Sequence, residues 1–239
     1  MKLSKIFLSL CAATFVSAAV GADNAKSASA AAKVVEERFN VKVKSARYNP
    51  DLNLVEVFAE NNELVYVTPN AKYLLLGTIV EINSQKNLTQ AALDELTRFA
   101  PNEIPASFIF SRAARGGNGQ QLWVFTDPKC AYCRRLEPEL DKLSNVTINY
   151  IPLSYQRSEN EVATVLCAQD KLKVWKDILS GKPVGEAKAG QDCLETAAKI
   201  REFAWFRAIN STPTMIRADG ARLTGYTSAE KIMAFLNGQ

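Results

Sequence analysis

Gln121-Leu122-Trp123-Val124-Phe125-Thr126-Asp127-Pro128-Lys129-Cys130-Ala131-Tyr132-Cys133 is the stretch on which the reading of this chain turns. Gln121 to Thr126 is an apolar, aromatic run of strand type. From Cys130 to Leu143 the pattern is helical, with Cys133, Leu136, Leu140 and Leu143 on one side, and Pro138 is expected to kink that helix. A C-x-x-C unit therefore opens a helix directly after a strand. In that place Cys130 is expected to face unpaired backbone N–H groups and the positive end of the helix dipole, which favours the thiolate, the nucleophilic form. Lys129, Arg134 and Arg135 add positive charge nearby. Cys133 lies one turn deeper, close enough to bridge Cys130. Cys130 is thus expected to attack and Cys133 to resolve.

Composition narrows the chemistry around this motif. The 239 residues allow one or two domains, and 47% hydrophobic with 23% charged residues is ordinary for a packed globular protein. Histidine is absent. That excludes a Ser-His-Asp triad, a Cys-His protease, a His-ligated zinc finger and a C-x-x-C-H haem site. The net charge is +4, and its basic residues are scattered, which gives no footprint for nucleic acid.

Met1 to Ala22 reads as a secretory signal: Lys2 and Lys5 form a positive start, Ile6 to Val16 a short apolar run, and Val20-Gly21-Ala22 a small-residue cleavage site. The run is too short for a membrane span, and lipid attachment at Cys11 is disfavoured by the large Leu10 before it. Losing the signal lowers 29 basic residues to 27 and the net charge to +2. Cys130, Cys133, Cys167 and Cys193 remain, an even number that suits an oxidising compartment. Cys167 and Cys193 are expected to form a structural disulfide. A second redox pair is the alternative, although neither sits in a C-x-x-C. A four-cysteine zinc site fits poorly, because these two are not a close pair; no metal is expected.

Outward from the motif, Leu52 to Ala59, Leu64 to Thr68 and Tyr73 to Ile82 read as strands after a helix ending near Phe39. Leu88 to Ala100 reads as an amphipathic linker helix closed by Pro101 and Pro105. The expected division is a signal at 1–22, an N-terminal domain at 23–85, a linker at 86–106 and a C-terminal domain at 107–239. Downstream of the motif come a strand at Val146 to Leu153, two or three helices within Glu159 to Ile209, strands Thr214 to Ile216 and Arg222 to Tyr226, and a closing helix Ala229 to Leu236. This is the thioredoxin order with inserted helices. In such folds a cis-proline lies beside the cysteine pair, and Thr212-Pro213 stands in that place. Thr212 is then expected to hydrogen-bond a substrate chain as an added strand would. Asp127 is expected to cap the helix, with proton transfer for Cys133 as the alternative. Glu137 is expected to be a solvated helix charge. Trp175, Phe203, Trp205 and Phe206 are expected in the core, with a substrate-facing role for one or two of them as the alternative.

Phe125 to Cys133, followed by Thr212-Pro213, resembles the DsbC/DsbG family of bacterial periplasmic disulfide isomerases. The resemblance implies an α+β chain: a thioredoxin-like C-terminal domain with a helical insertion, a small cystatin-like N-terminal dimerisation domain and a helical linker. It implies a homodimer acting on misfolded disulfide-containing exported proteins, kept reduced by an inner-membrane reductant resembling DsbD, with no cofactor, no nucleic acid and no stable membrane insertion. Cys130 and Cys133 would be catalytic, Tyr132, Thr212 and Pro213 would contact substrate, and Cys167 with Cys193 fits the family's structural disulfide. The central dipeptide Ala131-Tyr132 departs from the family's usual Gly-Tyr or Pro-Tyr, so the balance of isomerase, reductase and oxidase work stays open. A dithiol oxidase and a disulfide-stapled chaperone without turnover are the competing readings.

Overall fold

The computed structural model describes residues 14–116, 119–182 and 190–238. Cys11 and residues 1–13 of the expected signal lie outside the described residues. The chain divides into two compact units, Met1–Leu93 and Asp94–Gln239.

In the first unit, helix α1 (Thr14–Phe39) precedes four strands, β1 (Val43–Asn49), β2 (Leu54–Ala59), β3 (Leu64–Val67) and β4 (Leu74–Leu75). They form an antiparallel meander in chain order. Strand alternation sends Val55, Val57, Val65 and Val67 to one face, where they bury against Ala31 and Val35 of α1. The intervening Glu56 is buried, and Arg47 Nε at 2.6 Å and Asn49 Nδ2 at 2.8 Å satisfy its carboxylate. Tyr66 bonds Thr89 across 2.7 Å, which fixes the start of helix α2 (Leu88–Leu96).

Two features depart from the sequence reading. Strand β1 was not expected, because its residues Val43-Lys44-Ser45-Ala46-Arg47-Tyr48-Asn49 are too polar to signal a strand alone; pairing with β2 makes it one. Conversely, Tyr73 to Ile82 is not one strand. Only Leu74–Leu75 is a strand, Val80 makes an isolated bridge to Asn87, Gly77 adopts φ +145°, and Leu76 and Ile82 remain 76% and 89% exposed.

The second unit holds a five-stranded mixed sheet of order β5-β7-β6-β8-β9: β5 (Phe110–Arg112), β6 (Gln120–Thr126), β7 (Val146–Pro152), β8 (Thr214–Arg217) and β9 (Arg222–Thr224). Strands β6 and β7 are parallel, joined through helix α3 (Ala131–Lys142), which runs unbroken through Pro138. Helices α4 (Glu159–Cys167), α5 (Lys171–Leu179) and α6 (Gln191–Phe206) fill the stretch before β8, and α7 (Ala229–Leu236) closes the chain. Along β6, Leu122 and Val124 face a core built with Leu136 and Leu140 of α3, Trp175 of α5 and Ile232 of α7. Trp123 and Phe125 face the opposite core, with Val162 of α4 and Ile200 and Ala204 of α6. Full burial of a leucine such as Leu136 or Leu140 contributes about 2–3 kcal/mol, so the face carrying Cys133 holds α3 on the sheet. Among the described residues no helix is long and apolar enough to cross a membrane.

Candidate active site

Strand β6 ends at Thr126 and α3 begins at Ala131, so the loop between them presents the cysteines at the end of the sheet. Cys130 is the N-cap residue of α3, in extended geometry, and its carbonyl accepts the first helical bond from Arg134 N at 3.1 Å. Its side chain makes no capping bond to the N–H groups of the first turn. Instead Cys130 Sγ donates to the carbonyl of Thr212 across 3.3 Å. The Thr212–Pro213 peptide is cis, and Pro213 O accepts from Gly225 N at 2.8 Å. The 82 residues separating Cys130 from Thr212 are thus closed by β8, which lies antiparallel beside β6 with Thr214 opposite Phe125.

Cys133 lies beneath this surface, 2% exposed. Its sulfur accepts from Asp127 N at 3.4 Å. Burial pushes the Cys133 thiol up to about 12, although the Asp127 N–H and the hydroxyls of Thr126 and Thr212 pull the other way. Both cysteines of the pair are free thiols in the structure. The two differ in depth: Cys130, 8% exposed, lines a pocket, whereas Cys133, 2% exposed, lies one turn deeper and holds its proton.

Asp127 does not cap α3. Its carboxylate is fully buried, accepting from Lys129 N at 2.8 Å, Gln156 N at 2.8 Å and Ser158 Oγ at 3.0 Å. The helix begins four residues later, at Ala131, and Asp127 ties the cysteine loop to the segment following β7. The expected positive charges are also engaged. Lys129 Nζ pairs with Glu161 at 2.8 Å, Arg134 Nε donates to Pro128 O at 2.8 Å, and the Arg135 guanidinium lies over the rings of Tyr132 and Tyr226.

Glu137 is not a solvated charge. It accepts from the buried Tyr150 hydroxyl at 2.9 Å, and burial raises its carboxyl above the ordinary glutamate value. The four aromatics divide. Trp175 is fully buried, Phe203 packs partly buried against Phe99, Phe108 and Phe125, and Trp205 and Phe206 are 53% and 64% exposed. The core expectation fails for these last two, which lie on the surface. Periodicity held the signal: Ala197, Ile200 and Ala204 form the buried stripe of α6, and Trp205 falls off it. Trp205 lines the same pocket as Cys130, Tyr132 and Thr212, a hollow of about 430 Å³.

Cys167 and Cys193 are joined by a disulfide, with sulfurs 2.09 Å apart, which links the end of α4 to the start of α6. These sulfurs lie in the inserted helices, apart from the Cys130–Cys133 pair. Among the described residues no cluster of carboxylates or cysteines is arranged to hold a metal.

A model of the thioredoxin-like domain matches residues 111–239, and a model of the N-terminal domain of disulfide bond isomerase proteins matches residues 21–90. The probable thiol:disulfide interchange protein DsbC of Bordetella parapertussis is 24% identical over 177 residues, covering 73% of this chain and 62% of its own length. The thiol:disulfide interchange protein DsbC of Escherichia coli K12 is 23% identical over 185 residues, covering 74% of each chain. The chain thus spans about 62% of the length of the Bordetella relative. Among solved structures, a disulfide interchange protein from Neisseria gonorrhoeae superposes with a TM-score of 0.48 at 23% identity, covering 56% of this chain and 97% of its own. With a disulfide-isomerase N-terminal domain ahead of a thioredoxin-like domain that carries the C-x-x-C, the chain belongs to the DsbC/DsbG family.

Proposed function

We propose that this chain is a periplasmic thiol:disulfide isomerase and reductase that rearranges wrong disulfides in exported proteins. The carrying observation is the asymmetry of the pair: Cys130 Sγ in a pocket 3.3 Å from the Thr212 carbonyl, and Cys133 one turn deeper. The Cys130 thiolate attacks one sulfur of a substrate disulfide. One S–S bond forms, the substrate S–S bond breaks, and the second substrate sulfur leaves as a thiolate. That thiolate attacks another substrate disulfide. The chain of exchanges ends when a substrate thiolate displaces Cys130, which returns reduced. If the substrate stalls, Cys133 gives up its proton and attacks Cys130 Sγ, releasing reduced substrate and leaving the Cys130–Cys133 disulfide. A thiol that holds its proton until then gives the mixed disulfide time to rearrange.

Tyr132, Thr212 and Pro213 contact the substrate in this proposal, and Cys167–Cys193 staples the helical insertion. The N-terminal domain at 23–85 pairs two copies into a homodimer. Among the described residues β4 is an edge strand, and the exposed Leu75 within it and Tyr73, Leu76 and Val80 near it support that role. Residues 86–106 serve as the linker and 1–22 as the export signal. An inner-membrane thiol reductant of the DsbD kind restores the dithiol.

Refolding of scrambled ribonuclease A tests the reading. Catalysis is expected from the wild type and its loss from Cys130→Ala at unchanged circular dichroism. No catalysis from the reduced wild type would refute it, and a reduction potential near −120 mV would assign the chain to the oxidases instead.

A further inference from the structure

We propose that Trp205 is a specificity-determining residue that selects a large apolar side chain flanking the substrate's cysteine. This rests on the disulfide-exchange reading and names the substrate class for the same site. Trp205 stands in the last turn of α6, off the buried stripe, with half of its surface in solvent. It does not face open solvent alone. Trp205 and Tyr155 together line two hollows. One, of about 430 Å³, also contains Cys130, Tyr132 and Thr212. The other, of about 540 Å³, continues along α6 past Ala198 and Glu202. The indole thus forms the wall between the place where a substrate sulfur must sit and a second groove one side chain away.

The wall is held from behind. Tyr155 donates its hydroxyl to Ile209 O just beyond α6, and Ala204 and Ile209 are buried. Tyr132, 57% exposed, also lines the first hollow, and the Arg135 guanidinium lies over its ring and that of Tyr226. An occupant is fixed by continuity with the sulfur. Any polypeptide disulfide that reaches Cys130 brings its neighbouring residues against Trp205 and Tyr132, two aromatic faces that favour aromatic or large aliphatic side chains over small polar ones. Such side chains are buried in folded proteins and exposed in misfolded ones. The indole therefore directs the pair to cysteines from misplaced cores.

Symmetric disulfides of a short peptide with cysteine flanked by phenylalanine, or by serine, serve as probes. Each is mixed with the reduced wild type, and the single-turnover rate is followed, yielding oxidised protein and two peptide thiols. Rates are normalised to dithiothreitol reduction of the same disulfide. The wild type is expected to prefer the phenylalanine peptide by about tenfold, the scale set by one apolar group in a pocket. Trp205→Ala is expected to bring the ratio below about twofold, and Trp205→Phe to retain most of it. Equal ratios in the wild type and Trp205→Ala, or no preference in the wild type, overturn the assignment while leaving disulfide exchange intact. Failure to reduce either peptide overturns disulfide exchange and the assignment with it.

Discussion

Native-state alkylation of Cys133 probes the asymmetry of the pair directly. The perturbation is iodoacetamide added to reduced, folded Cys130→Ala protein at pH 8, so that only the buried thiol of the pair remains. The thiolate reacts, not the thiol. An ordinary value of 9.0 raised to about 12 leaves roughly 10³-fold less thiolate at pH 8. Removing Cys130 takes away only the smallest contribution to that rise, because burial is the largest. A side chain 2% exposed adds steric protection. Quenched time points and peptide mass spectrometry read the rate at Cys133, with the same protein in guanidinium chloride as reference. Labelling at least ~10³-fold slower than in denaturant is expected, rising about tenfold per pH unit between 8 and 10 without a plateau. Labelling within about tenfold of the denatured rate, or a plateau near pH 9, would refute the reasoning.

Replacing both Cys167 and Cys193 with alanine opens a cross-link spanning 26 positions. The chain-entropy relation puts the loss at about 3.5 kcal/mol, read as a lower midpoint in urea with exchange at Cys130 retained. Asp127→Ala removes the acceptor of three donors and is expected to cost about 3 kcal/mol and slow exchange, with Asp127→Asn milder; equal midpoints would show that the loop is held by other contacts. Glu137 has a raised folded-state value, so the native state binds more protons than the unfolded one above the ordinary glutamate value. Stability is therefore lost as pH rises through the folded value, and Glu137→Gln should flatten that decline; identical pH profiles would contradict it.

Local pattern made the site's framework legible. A strand of Leu122, Val124 and Phe125 followed by a helix with Cys133, Leu136 and Leu140 on one face fixes the sheet-to-helix turn that presents Cys130. What the pattern missed depends on tertiary partners. Strand β1 exists because β2 pairs with it, and β5 is only three residues long. The hydrogen bond of Cys130 to Thr212 spans 82 positions, and Asp127 finds Gln156 and Ser158 across the β6–β7 crossover. Glu137 was readable in retrospect: four residues after Cys133 and three before Leu140, it falls on the buried face of α3, where Tyr150 supplies its partner. Trp205 likewise sits one position beyond the stripe that buries Ala204.

Trapping the mixed disulfide tests exchange at Cys130 most directly. A Cys133→Ser variant, reduced and mixed with a peptide disulfide, is digested without reductant and mapped by mass spectrometry. A peptide adduct on Cys130 is the expected result; an intact protein with no adduct there after full reduction of the thiol would contradict it.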